Sequence, residues 1–398
     1  MQKKTIKKRE FPLIEVLNKE KNIRLGLSRE YYLSADITDN LKHKLRPYQK
    51  NAMFNLDWTQ NQKNADYLYN HLLFNMATGS GKTDIMMGTI LYMYKNFDYH
   101  NFLFVSNTDA VLNKTKNNIF NNNSDKYLFK DPIVINGYHI NIQMVDTFPI
   151  HADQSSIYIL LSTIQGLSNS LENVKENKIT YEGLSKNKIV MLIDEAHHFN
   201  RSTKNKENIL EKSWENVTDK IRQSNKKNRQ FEYTATIDLQ NDYLYEKYKN
   251  KILFKYSLNN LKKAKYSKIV RKLQANNSDH DKMLNAILLS QFRKKIAQKN
   301  GIDDFKPVIL FKSNRINKSD QAYKEFVRII NDITMEKLRT FIEEQKKINQ
   351  SSALTMAYNY WISQNMLSVI VELKKDFNEK NIIGEFYNQV SHFRKMTK

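Results

Sequence analysis

One heptapeptide constrains this chain more than any other feature: Ala77-Thr78-Gly79-Ser80-Gly81-Lys82-Thr83. It follows the apolar run Leu72-Leu73-Phe74-Asn75-Met76, which has the length of a buried strand, and it opens a helical pattern from Ile85 to Tyr94. Small residues between a strand and a helix let backbone N–H groups curl around phosphates, and the helix N-terminus adds its positive dipole end. In that reading Thr78, Gly79, Ser80 and Gly81 form the cradle. Lys82 reaches the β- and γ-phosphates, and the Thr83 hydroxyl holds Mg²⁺. Met76 stands where the general phosphate-loop pattern has Gly; the Thr-Gly-x-Gly-Lys-Thr centre fits a variant that begins with Ala.

Three further apolar runs share the character of the first: Phe102–Val105, Ile157–Leu161 and Ile189–Ile193. Spaced by helical patterns, they imply an α/β fold with a parallel sheet covered on both faces. The last run ends in Asp194-Glu195-Ala196-His197. Two carboxylates at a strand's C-terminal edge are costly to bury without a cation nearby, and Mg²⁺·ATP supplies one. Asp194 is then the metal ligand and Glu195 the group that orients and deprotonates the attacking water. His197 and His198 are placed either to sense the γ-phosphate or to bridge to neighbouring motifs. The two pieces are expected on adjacent strand ends.

Composition bounds the remaining possibilities. Lys plus Arg is 64 against 42 for Asp plus Glu, a formal net charge of +22. Such an excess suits a polyanionic partner, although a merely basic proteome produces the same figure. With no cysteine in the sequence, disulfides, zinc fingers, iron–sulfur clusters and thiol nucleophiles are excluded. The basic start Met1–Arg9 lacks a following apolar region, and no apolar run approaches the ~20 residues of a membrane span, so a cytoplasmic protein is expected. The domain reading is a polar lead-in over 1–40, an ATP-binding domain over 41–245, and a second lobe over 246–398. The strand candidate Pro307–Phe311 belongs to that lobe, as does a tail of amphipathic helices in which Tyr323, Phe326, Ile330 and Ile333 recur at helical spacing. The string Lys226-Lys227-Asn228-Arg229 reads as a solvated loop, and the many Tyr residues beside Lys, such as Tyr256 and Tyr266, as rim packing.

Taken in order, these strings resemble superfamily 2 DEAH-box helicases and translocases. Leu45-Arg46-Pro47-Tyr48-Gln49 is similar to the glutamine motif that reads adenine, which implies that Gln49 pairs with the base edge. Phe104-Val105-Ser106-Asn107 resembles motif Ia and Leu161-Ser162-Thr163-Ile164-Gln165 motif Ib, which implies phosphate-backbone contacts at Ser106, Asn107, Ser162 and Thr163. Tyr233-Thr234-Ala235-Thr236 resembles motif III, so Thr234 and Thr236 would couple the nucleotide site to nucleic acid. Within the superfamily the wording around Asn75–Thr83, Tyr256–Leu261, Tyr266–Ile269 and Lys306–Ser313 is similar to the Res subunit of type III restriction–modification enzymes.

That resemblance implies a RecA-like motor domain followed by an incomplete second RecA-like lobe with helical additions. It also implies ATP and Mg²⁺ as cofactors, double-stranded DNA as substrate and a DNA methyltransferase (modification) subunit as partner. Another repair translocase, an RNA helicase, or a binding module without turnover are the alternatives. No Gln-x-x-Gly-Arg-x-x-Arg string is present, and Arg293, Arg315, Arg328 and Arg394 lack that context. Val369–Lys374 offers Glu-x-Lys, but no Asp lies between Asp332 and Asp376 to complete a nuclease metal pair, so it reads as an amphipathic segment. The chain therefore reads as a truncated subunit, the first part of a split gene or a disrupted reading frame, with a downstream polypeptide as one carrier of motifs V and VI and the nuclease, and this chain alone is expected neither to unwind nor to cleave DNA.

Overall fold

A computed structural model describes residues 9–28, 32–172, 179–199, 207–267, 278–313, 315–348 and 351–382. The basic start Met1–Lys8, Lys268, Ile269 and Arg394 lie outside those residues. The chain divides into two compact units, 1–269 and 270–398.

The first unit is built on strands β1 (His71–Met76), β2 (Asn101–Ser106), a short antiparallel ribbon of β3 (Val134–Ile135) and β4 (Tyr138–His139), then β5 (Asn141–Met144), β6 (Ser156–Thr163), β7 (Ile189–Asp194), β8 (Arg229–Thr234) and β9 (Ile252–Tyr256). Seven of them form one sheet in the order β5-β6-β2-β7-β8-β1-β9, and every pairing is parallel. Apolar residues on both faces explain why. Leu72, Phe74 and Met76 of β1 join Phe102, Phe104, Val190, Leu192 and Phe231 in one core, under the helices Pro47–Gln60 and Lys82–Phe97. Leu103, Val105, Met191 and Ile193 point the other way, into a second core with Leu167, Val217 and Ile221. The helix Lys82–Phe97 is buried at every residue from Ile85 to Met93, which makes it the central strut of the first layer.

Two boundaries differ from expectation. The lead-in contains the helix Pro12–Ser28, whose Leu13 and Leu17 are buried in the sheet unit's core. The unit also runs past residue 245, because β9 adds an edge strand to β1 and therefore belongs to the sheet. The string before β8 is only half solvated. Lys226 and Lys227 are exposed, whereas Asn228 and Arg229 are buried, Arg229 donating to Gln60 Oε1 at 2.8 Å and pairing with Asp66.

Among its described residues the second unit has helices and no strand. Helices Asp279–Lys299, Ile316–Asp332, Met335–Ile348, Ser352–Ile362 and Met366–Asp376 close around one core that includes Ile287, Phe326, Ile330, Leu338, Tyr358, Trp361 and Leu373. The amphipathic reading of the tail holds there. The strand expected at Pro307–Phe311 does not form: the segment is unpaired, with Val308 and Leu310 exposed and Ile309 packed on the helices. An apolar run of five with no neighbour to complete its backbone hydrogen bonds is extended chain, not sheet. No helix among the described residues is long and apolar enough to cross a membrane.

Candidate nucleotide site

The phosphate loop leaves β1 at Met76. The Ala77 N–H donates to the Tyr256 carbonyl at 2.9 Å, and the Ser80 N–H closes a turn onto the Ala77 carbonyl at 3.1 Å. Gly79 and Gly81 take left-handed φ values of 79° and 77°. At Gly81 the requirement is double, because a Cβ would also stand 2.4 Å from Gln49 Nε2. The helix begins at Lys82 with no side-chain cap, so its first-turn N–H groups are open to an anionic ligand. Ser80 is fully buried and its hydroxyl has no partner.

The acidic box reaches this loop from β7. β8 lies between β7 and β1, so the two motifs are one strand apart rather than adjacent. Even so, Lys82 Nζ stands 3.5 Å from Glu195 Oε1. Glu195 adopts a left-handed φ of 51°, which turns the chain at the strand end. Its second oxygen lies 3.3 Å from His197 Nδ1. The same Nδ1 is 2.9 Å from Thr234 Oγ1 at the end of the intervening strand. The Thr234 hydroxyl donates to the Thr236 carbonyl at 2.9 Å, so its oxygen accepts from the His197 N–H and, at 3.3 Å, from the Thr236 N–H. Lys82, Glu195, His197, Thr234 and Thr236 thus form one continuous polar chain across three strand ends.

The electrostatics fit a bound cation. Burial first, then the neighbouring Glu195, push the Asp194 carboxyl above the ordinary range, a state that a divalent metal relieves. The His197 hydrogen bond holds Glu195 below it, with help from Lys82 against the effect of burial. Among the described residues no three His, Asp or Glu converge on a metal position. Thr83 and Asp194 suit Mg²⁺ nonetheless, since that ion takes one or two protein ligands and fills its octahedron with phosphate oxygens and water. The open helix end, the left-handed glycines and this donor pair fit Mg²⁺·ATP.

Other expected residues are placed less simply. The Gln49 amide is committed to the protein: Oε1 accepts the Arg46 N–H at 2.7 Å, and Nε2 faces the Ser80 and Gly81 carbonyls at 3.3 and 3.2 Å. Motifs Ia and Ib come together, for Ser106 and Thr163 are register partners on β2 and β6. Their hydroxyls are occupied locally: Ser106 donates to the Thr108 carbonyl, Ser162 to the Thr163 carbonyl, and Thr163 accepts from the Gly166 N–H. Asn107 is half-buried just beyond β2. Thr78 and Gly79 are exposed at the loop's tip. Sequence reasoning passed over Tyr48, whose hydroxyl bonds the loop, and Asp84, paired with His43 at 2.8 Å in the helix's first turn. The position of Tyr48 beside Gln49 was the available signal.

Fold and site together define an α/β unit with phosphate-loop and acidic-box motifs on the C-terminal edge of a parallel sheet, where such sheets take their ligands. Residues 42–239 match the family model described as type III restriction enzyme, res subunit. The chain is 34% identical over 321 residues to the probable type III restriction-modification enzyme HindVIP Res subunit of Haemophilus influenzae, covering 74% of this chain and 62% of that one. Among solved structures it is similar to the Pyrococcus furiosus Hef helicase domain (TM-score 0.33, 16% identity, 83% of this chain and 68% of that one). It is also similar to the Type ISP restriction-modification enzyme LlaGI (TM-score 0.35, 15% identity, 86% and 34%). The chain is a helicase-like module related to the Res subunits of type III restriction enzymes, and it spans 62% of the length of that curated relative.

Proposed function

We propose that this chain binds Mg²⁺·ATP and serves as the DEAH-type motor portion of a Res-like subunit, coupling ATP hydrolysis to movement along double-stranded DNA beside a modification subunit. The polar chain from Lys82 through Glu195 and His197 to Thr234 carries the proposal. It gives each group a role: Lys82 neutralises the transferring phosphate, and Thr83 and Asp194 hold the metal. Glu195, turned off the strand end, orients the attacking water. His197 passes the state of the phosphate site to Thr234 and Thr236. Motif V and VI arginines, which such a site needs from a second lobe, are expected from further polypeptide, in cis or in trans.

Titration of the purified chain with a fluorescent ATP analogue and Mg²⁺ tests this directly. Lys82→Ala should weaken binding beyond the measurable range, since it removes the cation facing the phosphates. Glu195→Gln should keep binding and abolish any DNA-stimulated turnover gained when the rest of the motor is supplied. Equal affinity in Lys82→Ala and the parent chain refutes the assignment.

A further inference from the structure

We propose that Tyr48 is a positioning residue of the nucleotide site: stacked on Tyr256, it clamps the phosphate loop in its binding shape without touching the nucleotide. This rests on the ATP-binding reading above. Tyr48 is buried in the first turn of the helix Pro47–Gln60. Its hydroxyl donates to the Ser80 carbonyl at 2.7 Å and accepts from Arg46 Nη1 at 2.9 Å. Its ring stacks on Tyr256, centroids 3.9 Å apart and planes 11° apart. Tyr256 in turn holds the other end of the loop, because its carbonyl accepts the Ala77 N–H at 2.9 Å. One ring pair therefore joins the start of the loop to its middle.

The consequence follows from peptide geometry. In a planar trans peptide the C=O of one residue and the N–H of the next point in opposite directions. A donor that holds the Ser80 carbonyl from outside fixes the Gly81 N–H toward the inside of the loop. Gln49 Nε2 does the same for the Gly81 carbonyl and the Lys82 N–H, at the longer distance of 3.2 Å. These inward N–H groups are the ones a phosphate needs. Nothing in Ser80's own side chain stabilises this peptide orientation, since its hydroxyl is unpartnered. Left-handed Gly79 and Gly81 make the loop pliable, so an external hold matters here. Burial raises the Tyr48 phenol's pKa, which keeps the donor proton in place.

The test uses the full chain in four variants: Tyr48→Phe, Tyr256→Leu, Tyr256→Phe, and Tyr94→Phe as a control whose hydroxyl bonds the Gln154 carbonyl well away from the loop. Affinity is measured for a fluorescent ATP analogue and for inorganic tripolyphosphate, each with Mg²⁺. Hydrogen exchange of a peptide spanning residues 75–84 is measured without nucleotide. Loss of one neutral hydrogen bond should weaken both ligands alike, about fivefold, in Tyr48→Phe. The loop peptide should exchange faster while peptides from the helical unit keep their rates. Tyr256→Leu should behave like Tyr48→Phe, and Tyr256→Phe should recover most of the affinity by restoring the stack. Unchanged affinity and unchanged exchange in Tyr48→Phe would overturn the clamp. Failure of the parent chain to bind the ATP analogue sinks the nucleotide reading instead, and the nucleotide-free exchange experiment still decides the clamp.

Discussion

The sheet unit and the helical unit both bury polar side chains, but of different kinds. Within the sheet, His71 of β1 and Glu232 of β8 meet at 2.8 Å, joined by Gln230 and by the Tyr248 hydroxyl, which donates to Glu232 at 2.6 Å. Arg229 is buried on the same strand. In the helical unit the described buried polar residues are Asn285, Ser290, Gln291 and Gln345, all neutral. There the Tyr358 hydroxyl donates to Asn285 Oδ1 at 2.5 Å, whose amide donates to Gln345 at 3.2 Å, and Trp361 Nε1 donates to the Leu288 carbonyl at 2.9 Å. Buried ions tie stability to pH and to neighbouring charges; buried amides do not. The unit that carries the candidate chemistry is also the one whose stability is linked to protons.

The largest expected effect separates the two units. Trp361 is 2% exposed, packs edge-on against Tyr360 and anchors the helical core. Trp361→Ala should cost about 3–5 kcal/mol of that unit's stability through lost burial and a large cavity. Hydrogen exchange should show the helices from 279 to 376 losing protection, with ATP-analogue affinity within about twofold of the parent chain. Lost nucleotide binding would show that the sheet unit depends on its neighbour.

How much of this was legible beforehand divides along the same line. The phosphate loop, Asp194 and Glu195 stand out in the sequence because phosphate and metal chemistry draws on particular residue types in short strings, and strand-sized apolar runs frame them. The four runs recognised are β1, β2, β6 and β7, and the structure sets Lys82 at 3.5 Å from Glu195. The intervening β8 was not placed, since strand order depends on long-range pairing that no local string records. β9 is missed as an edge strand because the apolar run of Ile252–Tyr256 is only three residues long before Lys255 interrupts it, and its pairing with β1 is long-range. Pro307–Phe311 was misread for the opposite reason: composition named a strand, but pairing decides whether one exists. Gln49 is read from the sequence as pairing with a base edge, yet its amide is bonded to its own helix start and to the loop, a three-dimensional competition that sequence does not reveal.

A second, smaller effect concerns acid. Burial alone would raise Glu232; the His71 imidazole, Lys247 and the Tyr248 hydroxyl outweigh it and hold the carboxyl below the ordinary range. A folded-state pKa below the unfolded one means that the unfolded chain binds more protons as pH falls. The stabilisation is therefore complete above the ordinary Glu value of 4.5 and is lost progressively as pH drops below it. His71, lowered chiefly by burial, acts with the same sign. Glu232→Gln should cost about 1–3 kcal/mol near neutrality and flatten the acid side of the sheet unit's stability curve. A variant whose unfolding follows pH as steeply as the parent's would remove Glu232 from the account.

The smallest effect is the matching change in the helical unit. Tyr358→Phe deletes the hydroxyl that donates to Asn285 and leaves every apolar contact of the ring in place. The loss should be about 1 kcal/mol, the low end of what a buried acceptor left without one donor costs, because the Asn285 carbonyl carries no charge. The informative quantity is the slope against pH rather than the size. The described bonds of Tyr358, Asn285 and Gln345 to one another run between a hydroxyl and side-chain amides. Urea unfolding followed by exchange of peptides from 279–299 and 352–362 should give the same difference between variant and parent at pH 4 and pH 7. A difference that grows on acidification would mean that a proton-binding group acts on this network, and the contrast between ionic and neutral burial would fail at the place where it is most sharply drawn.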